Sequence, residues 1–190
     1  MSAAANLKAK TAAAHHRAES ALDASAIRRG NYSVSAYRKL IRANHAIWGA
    51  AINWMESHFS PEAIRADYDF VAALHAALEK DLELLEVSPL PTRHLPFEGA
   101  GQAELLGLLY VLRGSTLGGT MIARMLPASP ELTNLETFNF YRACGNQPAG
   151  HWKVFQTRLN EALSKEGELT KATTAAITVL DQLHDCMAIH

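Results

Sequence analysis

Two groups of residues in this 190-residue chain have the types and spacing that chemistry needs. The first is His15 with Glu19 four residues later, a separation that stacks the two side chains on one helical face. A neutral imidazole coordinates a metal, and a carboxylate at i+4 helps to fix its orientation. Leu7, Thr11, His15, Ala18 and Leu22 recur at helical spacing, which predicts an inward position for His15. His16 is turned about 100° away from it. A single His on an apolar face is more often a satisfied core group, so spacing alone leaves both readings open. The second group lies in the stretch Tyr110 to Leu126, which reads as a buried helix holding Gly114, Gly118 and Gly119. A glycine inside a helix costs about 1 kcal/mol relative to alanine. Glycine also lacks a Cβ, so the backbone bends there and a bulky group comes close.

The remaining candidates are weaker. His45, beside Asn44 and Trp48, reads as a buried polar group or a pocket residue, and His75 as a single His in a leucine-rich helix. His58, His94, His151, His184 and His190 fall near helix ends or loops. No pair has the HxxxH or ExxH spacing of a zinc or di-iron site. Ser115 follows a glycine but has no strand before it, as a nucleophile elbow requires. The segment Gly114 to Gly119 has no Lys-Ser/Thr after it, so it is no phosphate loop.

Composition sets the class. The chain is 48% hydrophobic with a formal net charge of -1, so no global field favours nucleic acid or an anionic membrane. No signal-peptide pattern and no apolar run of about 18 residues is read in it, and the expected localisation is cytoplasmic. Cys144 and Cys186 lack a CxxC or zinc spacing and read as free thiols.

The elements that must position these residues are all helices. The patterns predict a first helix capped by Asn6 and running to about Ala24, then a break at residues 28–33. A second helix starts at Ser33 or Ser35 and reaches about His58. Ser60-Pro61-Glu62 has the form of a cap with proline at the first helical position. A third helix, from about Asp67 to Glu86, carries Phe70, Leu74, Leu78, Leu82 and Leu85 on one stripe. The prolines between Ser88 and Pro96 break the chain before the glycine-bearing helix, Gln102 to Leu126. Shorter helices follow around Leu135–Ala143 and Gly150–Leu163, and a last one spans Leu169–Met187. No alternating strand pattern or repeat is present, so the expectation is one all-α domain over residues 1–190.

Leu7-Lys8-x-x-Thr11-x-x-x-His15-x-x-x-Glu19 resembles the proximal-helix motif of heme oxygenases, and Leu112-Arg113-Gly114-Ser115-Thr116-Leu117-Gly118-Gly119 resembles their distal-helix motif. The second is most similar to bacterial members, including those that supply bilin to phytochromes. The resemblance implies a helical bundle with heme between a proximal N-terminal helix and a kinked, glycine-rich distal helix. It implies His15 as the iron ligand and Glu19 as its support. Gly114 and Gly118 would form the distal backbone, with Gly119 assisting the bend. Lys8, near Thr11, would approach one heme propionate, and Lys153 or Arg158 the other, since a carboxylate at a pocket mouth needs a cation. Animal members carry an aspartate where this chain has Ser115; Ser115, Thr116, Asn44 or His45 would then anchor the waters. Arg113 is left either solvent-facing or near a propionate.

The activity so implied is ring opening of heme, both substrate and cofactor, to biliverdin, CO and ferrous iron. It consumes O2 and electrons from a ferredoxin or reductase, because the chain has no flavin or nicotinamide motif. Two alternatives stand beside it: a heme-sequestering protein on the same fold, favoured by Ser115, and a helical interaction module without cofactor.

Overall fold

The computed structural model describes residues 1–135 and 138–189, and among these residues there are eight α-helices and no strand. Helix α1 (Ala3–Ala21) begins at Ser2, whose side chain accepts from the Ala5 amide; Asn6 lies inside the helix rather than capping it. The expected extension to Ala24 is interrupted. Asp23 takes a left-handed conformation (φ 51°) and caps a separate short helix, α2 (Ala24–Arg29), which Gly30 ends at φ 65°. Helix α3 (Val34–His58) starts where the sequence indicates, with the Ala36 amide donating to Ser33 Oγ at 3.1 Å.

Ser60-Pro61-Glu62 forms a turn instead of a helix start, and α4 (Arg65–Leu84) begins after it. Val71, Leu74, Leu78 and Leu82 give α4 its buried stripe, and two carboxylates, Asp67 and Asp81, are buried with them. Helix α5 (Gln102–Met125) runs without a break through all three glycines. Two 3-10 turns, Leu126–Ala128 and Pro130–Leu132, follow it. Helix α6 (Asn139–Gly145) starts later than Leu135; residues 136 and 137 of that expected helix, like His190, lie outside the described residues. Helices α7 (His151–Ala162) and α8 (Glu166–Ala188) complete the chain.

The first half of α5 is apolar all round, and Leu105, Leu106, Leu108 and Leu109 are all buried, as befits a central helix. By length and composition Gln102–Ala128 also meets the requirement for crossing a bilayer, which corrects the expectation that no such stretch exists. Here that stretch packs against α8 and α6. The closest approach is at Gly107, where a Cβ would collide with the Ala172 carbonyl of α8. A side chain at residue 107 would push the two backbones apart.

Helix α8 is the shared support of the fold, because both α1 and α5 pack along it. Helix α6 is held from the other side. Asp81 of α4 accepts from the Asn139 and Phe140 amides, each at 2.9 Å, and so caps α6 from outside.

Candidate functional site

The same face of α5 changes character along its length. Around Gly107 it is covered by α8. One to four turns later it carries Tyr110, Val111, Gly114, Leu117, Gly118 and Met121, at spacings that keep them on one side of the helix. Leu117 and Met121 are among the most exposed large apolar side chains, at 43% and 57%. A Cβ built on Gly118 meets nothing within 4 Å. This exposed apolar stripe with a gap in its middle is the candidate binding surface of the helix.

Helix α1 flanks this stripe. Ala14 and Ala18 pack against Leu180 of α8, with Val111 of α5 at the edge of the cluster. Thr11, itself buried, lies beside the Tyr110 hydroxyl. Arg17, on the opposite flank of α1, reaches Asp181 of α8 at 2.6 Å. At about 100° per residue, His15 falls on the flank shared with Thr11 and Lys8, away from Arg17.

His15 is therefore not inward. Leu7, Thr11, Ala14 and Ala18 take the core-facing positions of α1, and the His15 side chain is 59% exposed. The physical reason is that Ala14, one residue earlier, is centred on the buried face and leaves His15 at its margin. Glu19 lies 3.6 Å from Nδ1, too long for a hydrogen bond but within ion-pair range. This leaves Nε2 as the ring atom turned away from the carboxylate.

The three glycines do different things. The Gly114 position faces the Trp152 ring, with a built Cβ 3.6 Å from it, and Trp152 also packs on Tyr110 with ring centroids 5.7 Å apart. Gly118 faces open space. Gly119 is buried, and a Cβ there would stand 2.8 Å from Cys144 Sγ. Gly119 thus admits α6, and the space its missing side chain leaves is filled by Cys144. None of the three has a positive φ, so what each provides is room.

Arg113 is neither solvent-facing nor free for a propionate. Its guanidinium donates to Asp67 Oδ1 at 2.9 Å and lies over the Phe70 ring, 4.2 Å from its centroid. Arg158 donates to the other oxygen of Asp67 at 2.6 Å. Arg158, expected as an alternative to Lys153 at a propionate, is thus paired with Asp67 here. Asp67 thereby ties α4, α5 and α7 together immediately before Gly114. The signal was present in the sequence, since Asp67 and Arg113 are both charges set within apolar helical stripes.

The expected water anchors are also accounted for. Asn44 donates to the Leu40 carbonyl at 2.9 Å, and His45 stacks on His75 of α4. Ser115 donates to the Leu112 carbonyl at 2.8 Å and is exposed at the edge of the stripe. Thr116 is buried, donates to the Arg113 carbonyl at 2.7 Å, and lies 3.2 Å from His151 Nε2. Lys8 and Lys153 are exposed, on α1 and next to Trp152 on α7 respectively.

The site thus has an exposed imidazole on one helix, an uncovered glycine-bearing stripe on a second, and a common support beneath both. Comparisons with known proteins concern the family and the fold. A curated heme oxygenase from Xanthomonas campestris pv. campestris (strain 8004) is 27% identical over 164 residues, 86% of this chain and 95% of that protein. Heme oxygenase from Leptospira interrogans has a similar fold, with a TM-score of 0.74 at 18% identity and 99% of each chain covered. So does the NO- and CO-bound heme oxygenase from Neisseria meningitidis, with a TM-score of 0.72 at 20% identity, covering 100% of this chain and 94% of that one. The heme oxygenase family profile matches residues 1–184, so the chain belongs to the heme oxygenase family, whose members are enzymes that degrade heme.

Proposed function

We propose that this chain binds heme between α1 and the later half of α5 and opens the ring to biliverdin, CO and ferrous iron, using O2 and electrons from a separate ferredoxin or reductase. The observation that carries this is the uncovered stripe around Gly118 beside the flank of α1 that holds His15. A porphyrin is flat and apolar with two carboxylates at one edge. The stripe offers a matching apolar surface in Leu117 and Met121 and backbone without side chains at Gly114 and Gly118. When bound, heme supplies the oxygen chemistry itself.

The chain's residues bind, orient and exclude. His15 holds the iron through Nε2 while Glu19 steadies the ring from the Nδ1 side. Gly114 and Gly118 would let α5 lie close against the heme face, because neither carries a side chain there. Trp152 closes the space behind Gly114. Lys8 and Lys153 pair with the propionates. Ser115 has its hydroxyl hydrogen committed to the Leu112 carbonyl, so its free lone pair accepts a hydrogen bond from a water over the site. That commitment is also what favours the second reading, a protein that holds heme without turning it over.

Hemin titration followed by reduction in air separates these readings. A shifted heme absorption that gives way to a bilin band, with CO released, supports ring opening. A heme spectrum that persists under reductant and oxygen supports the second reading, and no spectral shift on titration rejects both.

A further inference from the structure

Helices α3 and α4 bring together three side chains that the heme reading does not use. His45 lies on α3, and His75 and Glu79 lie one turn apart on α4. The two imidazole rings stack with centroids 4.5 Å apart and 32° between their planes. One donor atom from each of the three residues lies within 4.8 Å of the others, and Glu79 Oε1 is 3.9 Å from His75 Nδ1. Among the described residues this is the one such grouping of His, Cys, Asp or Glu donors.

Two features set this cluster apart from chance proximity. His45 Nδ1 and His75 Nε2 are both buried and neither has a hydrogen-bond partner. Buried polar atoms are almost always paired, and each one left unpaired needs an explanation. The second feature is Gly49, one turn after His45 on α3. A Cβ there would lie 3.1 Å from His75 Nε2, so the missing side chain lets the His75 ring pack on α3 beside His45, with its Nδ1 edge toward Glu79. Burial lowers the proton affinity of both imidazoles below the ordinary histidine range.

We propose that His45, His75 and Glu79 form a binding site for one divalent transition metal ion, clamping α3 to α4. Two imidazoles and a carboxylate suit zinc, ferrous iron, cobalt or nickel rather than magnesium or calcium. Nitrogen and oxygen donors about 2.1 Å from a tetrahedral metal stand about 3.4 Å from one another. The cluster reaches that spacing by a rotation of Glu79, whose side chain is 60% exposed and free to move. Three protein ligands leave a fourth position for water. The site uses helices other than those carrying His15 and Gly118, and it does not depend on the heme reading.

The test uses the full chain, stripped of metal, with Co2+ as the probe and Zn2+ as competitor. The site predicts one equivalent of Co2+ bound with the intense visible bands of a low-coordinate centre, displaced by one equivalent of Zn2+. His75→Gln and His45→Gln each weaken this binding 100-fold or more, and Glu79→Gln about 10-fold. His15→Ala leaves it intact. Should the histidine variants fail to fold, the exposed Glu79→Gln still decides: Zn2+ raises the melting temperature of the wild type and raises it less in this variant, while both take up hemin equally. Cobalt binding that is unsaturable, or that survives both histidine substitutions, or that disappears in His15→Ala, overturns the proposal.

Discussion

Asp67 and Arg113 form a buried ion pair, with 2.9 Å between Oδ1 and Nη2 and side chains only 5% and 15% exposed. Arg158 occupies the second oxygen at 2.6 Å. One carboxylate thus neutralises cations from two helices. Removing it strands the Arg113 guanidinium in a poorly solvated place. Breaking a buried pair by deleting one partner typically costs about 3 to 5 kcal/mol, so Asp67→Ala is expected to lose about 3 kcal/mol in urea unfolding, since Arg158 is partly solvated and recovers water. A loss below about 1 kcal/mol, the range of surface pairs, would show that the tie is dispensable.

Gly107 and Gly118 make opposite predictions on one helix. Gly107→Ala drives a methyl group into the Ala172 carbonyl, and backbone cannot step aside as a side chain can. The expected loss is about 2 kcal/mol, typical of overpacking. Gly118→Ala enters open space and removes a helix-interior glycine, so it is expected to gain up to about 1 kcal/mol. Thermal melts of the two variants, read side by side, check both signs. Gly118→Leu adds the functional arm: the fold persists while hemin affinity falls at least tenfold, and unchanged affinity would show that heme does not lie on this stripe.

Cys144 is held in the contact between α5 and α6, and burial pushes its thiol up to about 12. A folded-state value above the ordinary thiol range keeps the group neutral, and only the thiolate is a good nucleophile. Cys144 is therefore expected to resist a thiol reagent at pH 8 in the native protein and to react rapidly once denaturant is added. Mass spectrometry of the labelled peptide identifies the residue. Rapid native labelling of Cys144 would mean that α6 opens readily from Gly119.

Ser115 takes the position at which the proton supply is decided. Ser115→Ala keeps the helix and removes the lone pair that accepts a water, so turnover should fall on the order of tenfold, below the full effect of a general acid, with hemin affinity unchanged. Equal turnover by both proteins in a single-turnover assay would assign the water to other atoms.

Helix periodicity carried most of the fold. Ser33, Gln102 and the long apolar stripes placed α3 and α5 within a residue or two, because capping and 3.6-residue spacing are local properties. What was not legible came from contacts distant in sequence. Asp23 splits α2 from α1 by adopting a left-handed backbone that its residue type does not demand. The five-residue pattern through His15 fits two neighbouring faces of a helix, and only packing against α8 decides between Ala14 and His15. The pairing of Arg158 with Asp67 is invisible to local spacing, because 91 residues separate them. The metal-type cluster escaped for the same reason: His45 and His75 share no helix, and no spacing rule spans two.

The central claim concerns His15. Wild-type protein loaded with one equivalent of hemin should show an axial imidazole in its ferric and ferrous spectra and, with reductant and air, convert to biliverdin with release of one CO per heme. His15→Ala should lose the iron–imidazole signature and turnover, and added imidazole should restore the axial signature. An identical axial-ligand spectrum and the same biliverdin yield from His15→Ala would contradict the account.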